Sequence, residues 1–112
     1  MPYNAYLRQL RVKWMLSQGE LAELLDISQA RISRYEKGEE YPTFSVALAL
    51  QVIFGKCPKS IFSHLYSIVE EAVMGRTAEF ERRLINRSDF PSMKKRQLFE
   101  AMMGRATNRD EA

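Results

Sequence analysis

Residues 29–37 gather an amide (Gln29), a small methyl (Ala30), a hydroxyl (Ser33) and three cations (Arg31, Arg34 and Lys37) within one helix-length of chain. These groups suit recognition rather than bond-breaking. Glutamine pairs bidentately with adenine, arginine does so with guanine, and a methyl can meet the thymine methyl. Cations and hydroxyls also hold phosphate oxygens. Enzyme chemistry finds no comparable footing: no nucleophile–base pair, glycine-rich phosphate loop or metal-ligand cluster is evident, so no cofactor and no metal are expected. The single cysteine, Cys57, cannot close an internal disulfide, and with the single histidine, His64, it makes no metal site of recognised spacing. Cys57 reads as a filler or weak helix cap, and His64 as a surface or helix-end residue.

The elements that present this set follow from apolar spacing and caps. Ser17 opens a helix over 18–25, and Glu20 stands at capping-box spacing from it. Leu21 and Leu25 lie one turn apart on its inner side, and the small Ala22 lets a second helix cross close by. Asp26 takes a turn position that must tolerate a left-handed backbone, at a strain of about 1 kcal/mol, and Ile27 plugs the turn into the core. Ser28 then caps a helix over 29–37 that Gly38 ends. Ile32 and Tyr35 are its inward residues. At roughly 100° per residue the opposite side shows Ala30, Ser33, Arg34 and Lys37, with Gln29 and Arg31 flanking it near the start. Glu20 and Glu23 are exposed on the earlier helix, so basic charge concentrates on the later one, as a groove-reading element requires.

The rest of the chain is also helical by pattern, and no period-two run suggests a sheet. A first helix is expected over about 4–15, with Tyr6, Leu7 and Leu10 inward. Thr43 caps a fourth, to Phe54, and Cys57-Pro58 opens a short fifth. The face Leu65, Ile68, Val69, Ala72 and Val73 continues from the fifth and is expected to stop near Gly75. Thr77 could cap a sixth bearing Phe80, Leu84 and Ile85. After the break Asn86–Pro91 comes a seventh, with Leu98, Phe99, Met102 and Met103 inward and Gly104 as its stop. Trp14, Phe44 and Phe54 are taken as core anchors. With 46% hydrophobic and 28% charged residues the composition is that of an ordinary soluble protein, 112 residues suit a small domain with or without an appendage, and the net charge of +3 alone proves no nucleic-acid binding. No apolar run approaches a membrane span. The start, Met1-Pro2-Tyr3-Asn4, lacks a secretory pattern, so a cytoplasmic location is expected.

The segment from about Leu7 to Phe62 resembles the phage repressor/Cro (xenobiotic-response-element) helix-turn-helix family. The resemblance is carried by Leu16-Ser17-Gln18, Glu20-Leu21-Ala22, Ile27-Ser28, Ile32-Ser33-Arg34, Glu36-Lys37-Gly38 and Pro42. It implies a five-helix repressor-like domain over 1–62; the residue pattern adds two to three amphipathic helices over 63–104 and a polar, disordered tail over 105–112, so the whole chain is expected to be all-α. It also implies that Gln18 opens the second helix and holds a DNA phosphate, that Ser28, Gln29, Ala30, Ser33 and Arg34 face DNA, and that Lys37 lies near the backbone. Arg11 and Glu36 correspond to an inward salt bridge, a better reading of Glu36 than a catalytic acid. The family prefers glycine where Asp26 stands.

These expectations describe a sequence-specific regulator of transcription, most simply a repressor, that binds double-stranded DNA as a homodimer. The C-terminal helices are the natural dimer contact, since paired domains read half-sites about 34 Å apart. The alternative is an antitoxin-like interaction protein whose C-terminal helices hold a partner protein while the N-terminal domain binds DNA.

Overall fold

A computed structural model describes residues 4–111, with side chains as far as Thr107. The expectation drawn from Met1, Pro2 and Tyr3 lies outside the described residues. Seven α-helices and no strand are present among them: α1 (Ala5–Lys13), α2 (Gln18–Leu25), α3 (Gln29–Lys37), α4 (Phe44–Phe54), α5 (Pro58–Ile61), α6 (Ser63–Arg82) and α7 (Phe90–Glu111). The chain divides into two compact units between Ser67 and Ile68. That division falls inside α6, about one turn past residue 62, because Leu65 still packs on the core of the first unit.

The first unit closes around Leu7 and Leu10 of α1, Leu21, Ala22 and Leu25 of α2, Ile32 and Tyr35 of α3, Leu50 of α4, and Ile61 and Phe62. Burying aliphatic and aromatic side chains of this size contributes about 1.5–3 kcal/mol each. The helix ends are tied by short polar contacts. Asn4 caps α1 by accepting from the Leu7 N–H at 3.1 Å, while its own N–H donates to the Glu36 carbonyl at 2.8 Å and its Nδ2 to the Ile61 carbonyl at 3.2 Å. One residue therefore joins α1 to the ends of α3 and α5. Ser17 and Glu20 complete a reciprocal capping box on α2. The Ser17 hydrogen bonds hold the Glu20 carboxyl below its usual range, the backbone donor contributing most.

Several sequence expectations need correction here. The first helix ends at Lys13, not Met15, because the Leu16 N–H returns to the Arg11 carbonyl with Met15 left-handed at φ 59°. Trp14 and Phe44 are exposed rather than core anchors: they occupy the C-cap of α1 and the first position of α4, beyond the packed turns. Phe54 does pack against the core.

The second unit consists of the rest of α6 and α7. The fifth helix does not run on: Phe62 breaks it at φ −117°, ψ 51°. Gly75 does not stop α6, which continues to Arg82, and Gly104 lies inside α7. Thr77 is therefore no cap; its Oγ1 donates to the Val73 carbonyl at 2.8 Å. Glycine inside a helix costs about 1 kcal/mol, too little to end a helix whose flanks favour it. The expected tail likewise continues α7 to Glu111. Asp89 begins α7 by accepting from the Ser92 N–H and hydroxyl, bonds that also lower the Asp89 carboxyl from its usual range, the hydroxyl first. Arg96 of α7 donates to the Leu84 and Arg87 carbonyls just past the end of α6. Phe80 meets Phe99 edge-on at 5.6 Å, and Leu84 is buried. Much apolar surface stays open in this unit: Ile68, Val69, Val73, Ile85, Phe90, Met93, Leu98 and Met103. No helix among the described residues is long and apolar enough to cross a membrane.

Candidate nucleic-acid interface

The pairing of α2 with α3 depends on the turn between them. Asp26 adopts φ 55°, ψ 46°, and the Ile27 N–H reaches back to the Ala22 carbonyl at 3.0 Å, so α2 ends in a left-handed reversal without glycine. Aspartate tolerates that conformation better than most residues. Ser28 then caps α3 by accepting from the Arg31 N–H at 3.3 Å. Close approach of the two helices follows from Ala22 and Gly19: a methyl on Gly19 would stand 3.5 Å from Gln29 Oε1, so the Gln29 amide lies against the start of α2.

The two sides of α3 differ sharply. Ile32, Tyr35 and Glu36 are buried. Ser28, Gln29, Ala30, Arg31 and Lys37 are exposed, and Ser33 and Arg34 are half-buried among them. The structure thus brings these seven residues to one surface of α3 and its cap. Gln18 lies at the start of α2.

Beneath that surface runs a polar network. Arg11 Nε donates to Glu36 Oε2 at 2.7 Å and Nη2 to Oε1 at 3.1 Å, a bidentate pair with side chains 11% and 3% exposed. Arg11 Nη1 also holds the Leu16 carbonyl at 2.9 Å. Gln18 Nε2 donates to Glu36 Oε1 at 3.1 Å, which the sequence reading did not foresee. One carboxylate therefore locks α1, the start of α2 and α3 together. A carboxamide has a second N–H besides the one given to Glu36.

Sequence reasoning also missed Glu40. Arg34 Nε donates to its Oε2 at 2.6 Å, and Arg31 Nε lies 3.8 Å from its Oε1. The acidic pair Glu39-Glu40 just past Gly38 was visible in the sequence. What was not visible is how the chain reverses there: Gly38 sits at φ 74° and the Glu39 N–H returns to the Arg34 carbonyl at 2.9 Å. The three cations Arg31, Arg34 and Lys37 thus stand beside two carboxylates, the half-buried Glu40 and the exposed Glu39.

Residues 7–62 match the family model described as Helix-turn-helix. Three archaeal relatives, each bearing the name of an HTH-type transcriptional regulatory protein, share a 48-residue stretch with this chain. The Pyrococcus furiosus protein is 48% identical over it, and those of Pyrococcus abyssi and Thermococcus kodakarensis are 44% identical. In each case the stretch is 43% of this chain and 15% of the relative's length. No solved structure matches the chain.

Proposed function

Because the chain belongs to the helix-turn-helix family of the phage repressor/Cro type, we propose that it is a cytoplasmic regulator of transcription that binds a specific double-stranded DNA site through α3. It does so as a homodimer and represses by occluding a promoter. The observation that carries this reading is the division of α3 into a buried side and a cationic, amide-bearing exposed side. Gln29, Ala30, Ser33 and Arg34 face base edges and backbone in the major groove. Ser28, Arg31 and Lys37 serve the flanking phosphates. Gln18 holds a phosphate with its second N–H, beside the backbone N–H groups at the start of α2, where helix polarity favours an anion. The names of the relatives support transcription regulation, and the open apolar faces of α6 and α7 support a second copy as partner.

Arg34→Ala tests the recognition role. Affinity for the specific site is expected to fall by about 1–3 kcal/mol, with relaxed preference at one base pair. Titrations on that site and on its single-base variants measure both effects. An equal loss on every sequence would assign Arg34 to phosphate instead.

A further inference from the structure

The carboxylate of Glu40 is half-buried on the face that must approach a polyanion. Placed there as a bare charge it would only repel phosphate. Its geometry suggests more. Gly38 reverses the chain so that Glu40 comes beside the exposed arginines of α3, where it takes Arg34 by Nε at 2.6 Å and stands 3.8 Å from Arg31 Nε. Guanidinium offers five donors in a rigid plane. With Nε committed to the protein, the two Nη groups remain as a fork of the kind that fits guanine O6 and N7. A long arginine side chain without such a clamp samples many rotamers and can swing to the nearest phosphate, a contact that carries no sequence information.

Resting on the DNA-binding reading above, we propose that Glu40 is a specificity-determining residue: it orients Arg34 for a guanine edge and discourages both arginines from phosphate. The carboxylate thereby trades sequence-independent affinity for discrimination. It acts through Arg34 and is a positioning residue, with no contact to a base required of it.

The test uses the full chain and three duplexes: the selected site, its single-base variants and a scrambled sequence, each titrated over a range of salt. Glu40→Ala is expected to bind the scrambled duplex several-fold more tightly and to steepen the log–log salt dependence by roughly one. Base discrimination at the Arg34 position is expected to drop by about tenfold. Glu40→Gln, which removes the charge but keeps an oxygen to accept from Nε, is expected to gain the non-specific affinity while keeping more of the discrimination. In an Arg34→Ala background, Glu40→Ala is expected to leave discrimination unchanged. An equal gain on all three duplexes, with discrimination intact, would overturn the proposal and leave Glu40 a simple repulsive charge. Wild-type protein that prefers no sequence would instead remove the DNA-recognition reading itself.

Discussion

Glu36→Ala is expected to cost roughly 3–5 kcal/mol of folding stability, the penalty for leaving a buried charge without its partner. The carboxylate accepts two hydrogen bonds from Arg11 and one from Gln18, and the Arg11 side chain is only 11% exposed. Removing it takes the carboxylate from a buried guanidinium in the seam between α1 and α3, which keeps its bond to the Leu16 carbonyl. The attraction between the two ions is not itself the measure of the loss, since desolvation offsets most of it. For that reason a double replacement, Arg11→Met with Glu36→Leu, is expected to recover much of the stability that the single variant loses. Thermal unfolding checks both. In a domain of this size about 1 kcal/mol moves the midpoint by several degrees, so the single variant is expected to melt more than ~10 °C lower. An unchanged midpoint together with tighter DNA binding would mean that Glu36 behaves as an exposed acid near the phosphates.

Truncation after Ser67 is expected to leave a folded domain that is monomeric and binds its site about 10²–10⁴-fold more weakly. Every residue of the first unit's core lies before that point, and Leu65, the last side chain packed on it, is retained. What is lost is the rest of α6 and all of α7, with the exposed Ile68, Val69, Val73, Leu98 and Met103. If these faces join two copies, each DNA half-site is engaged by a tethered partner, and the effective concentration that tethering supplies disappears with them. Sedimentation of full-length and truncated protein, with titrations on one and two half-sites, measures both effects. A full-length chain that stays monomeric on and off DNA would contradict the dimer and leave the apolar faces to a different protein, as in the antitoxin-like reading. A truncated chain that unfolds would contradict the independence of the first unit.

The helices of the first unit were legible because the information is local. Ser17, Ser28, Thr43, Gly38 and Gly55 occupy the ends where the structure has caps, and Ile32 and Tyr35 fix the buried side of α3, hence also its exposed side. The Asp26 turn was legible for the same reason, since one residue type and one position decide it. The contacts that hold the exposed residues were less so. Glu40 reaches Arg34 only because Gly38 reverses the chain, and Gln18 meets Glu36 across eighteen residues. No helical period encodes either contact. The second half misled in a different way: Gly75 and Gly104 look like stops, but a local cost of about 1 kcal/mol does not break helices of 20 and 22 residues. Trp14 and Phe44 show that an aromatic side chain at a helix end does not point into the core by virtue of its type.

Sequence-specific recognition of duplex DNA is tested most directly by selecting bound sites from a random pool with the full chain. The expected result is enrichment of one motif, made of two related half-sites about 34 Å apart, centre to centre, with a preferred guanine that Arg34→Ala no longer selects. A pool that emerges unenriched, bound equally whatever its sequence, would contradict it.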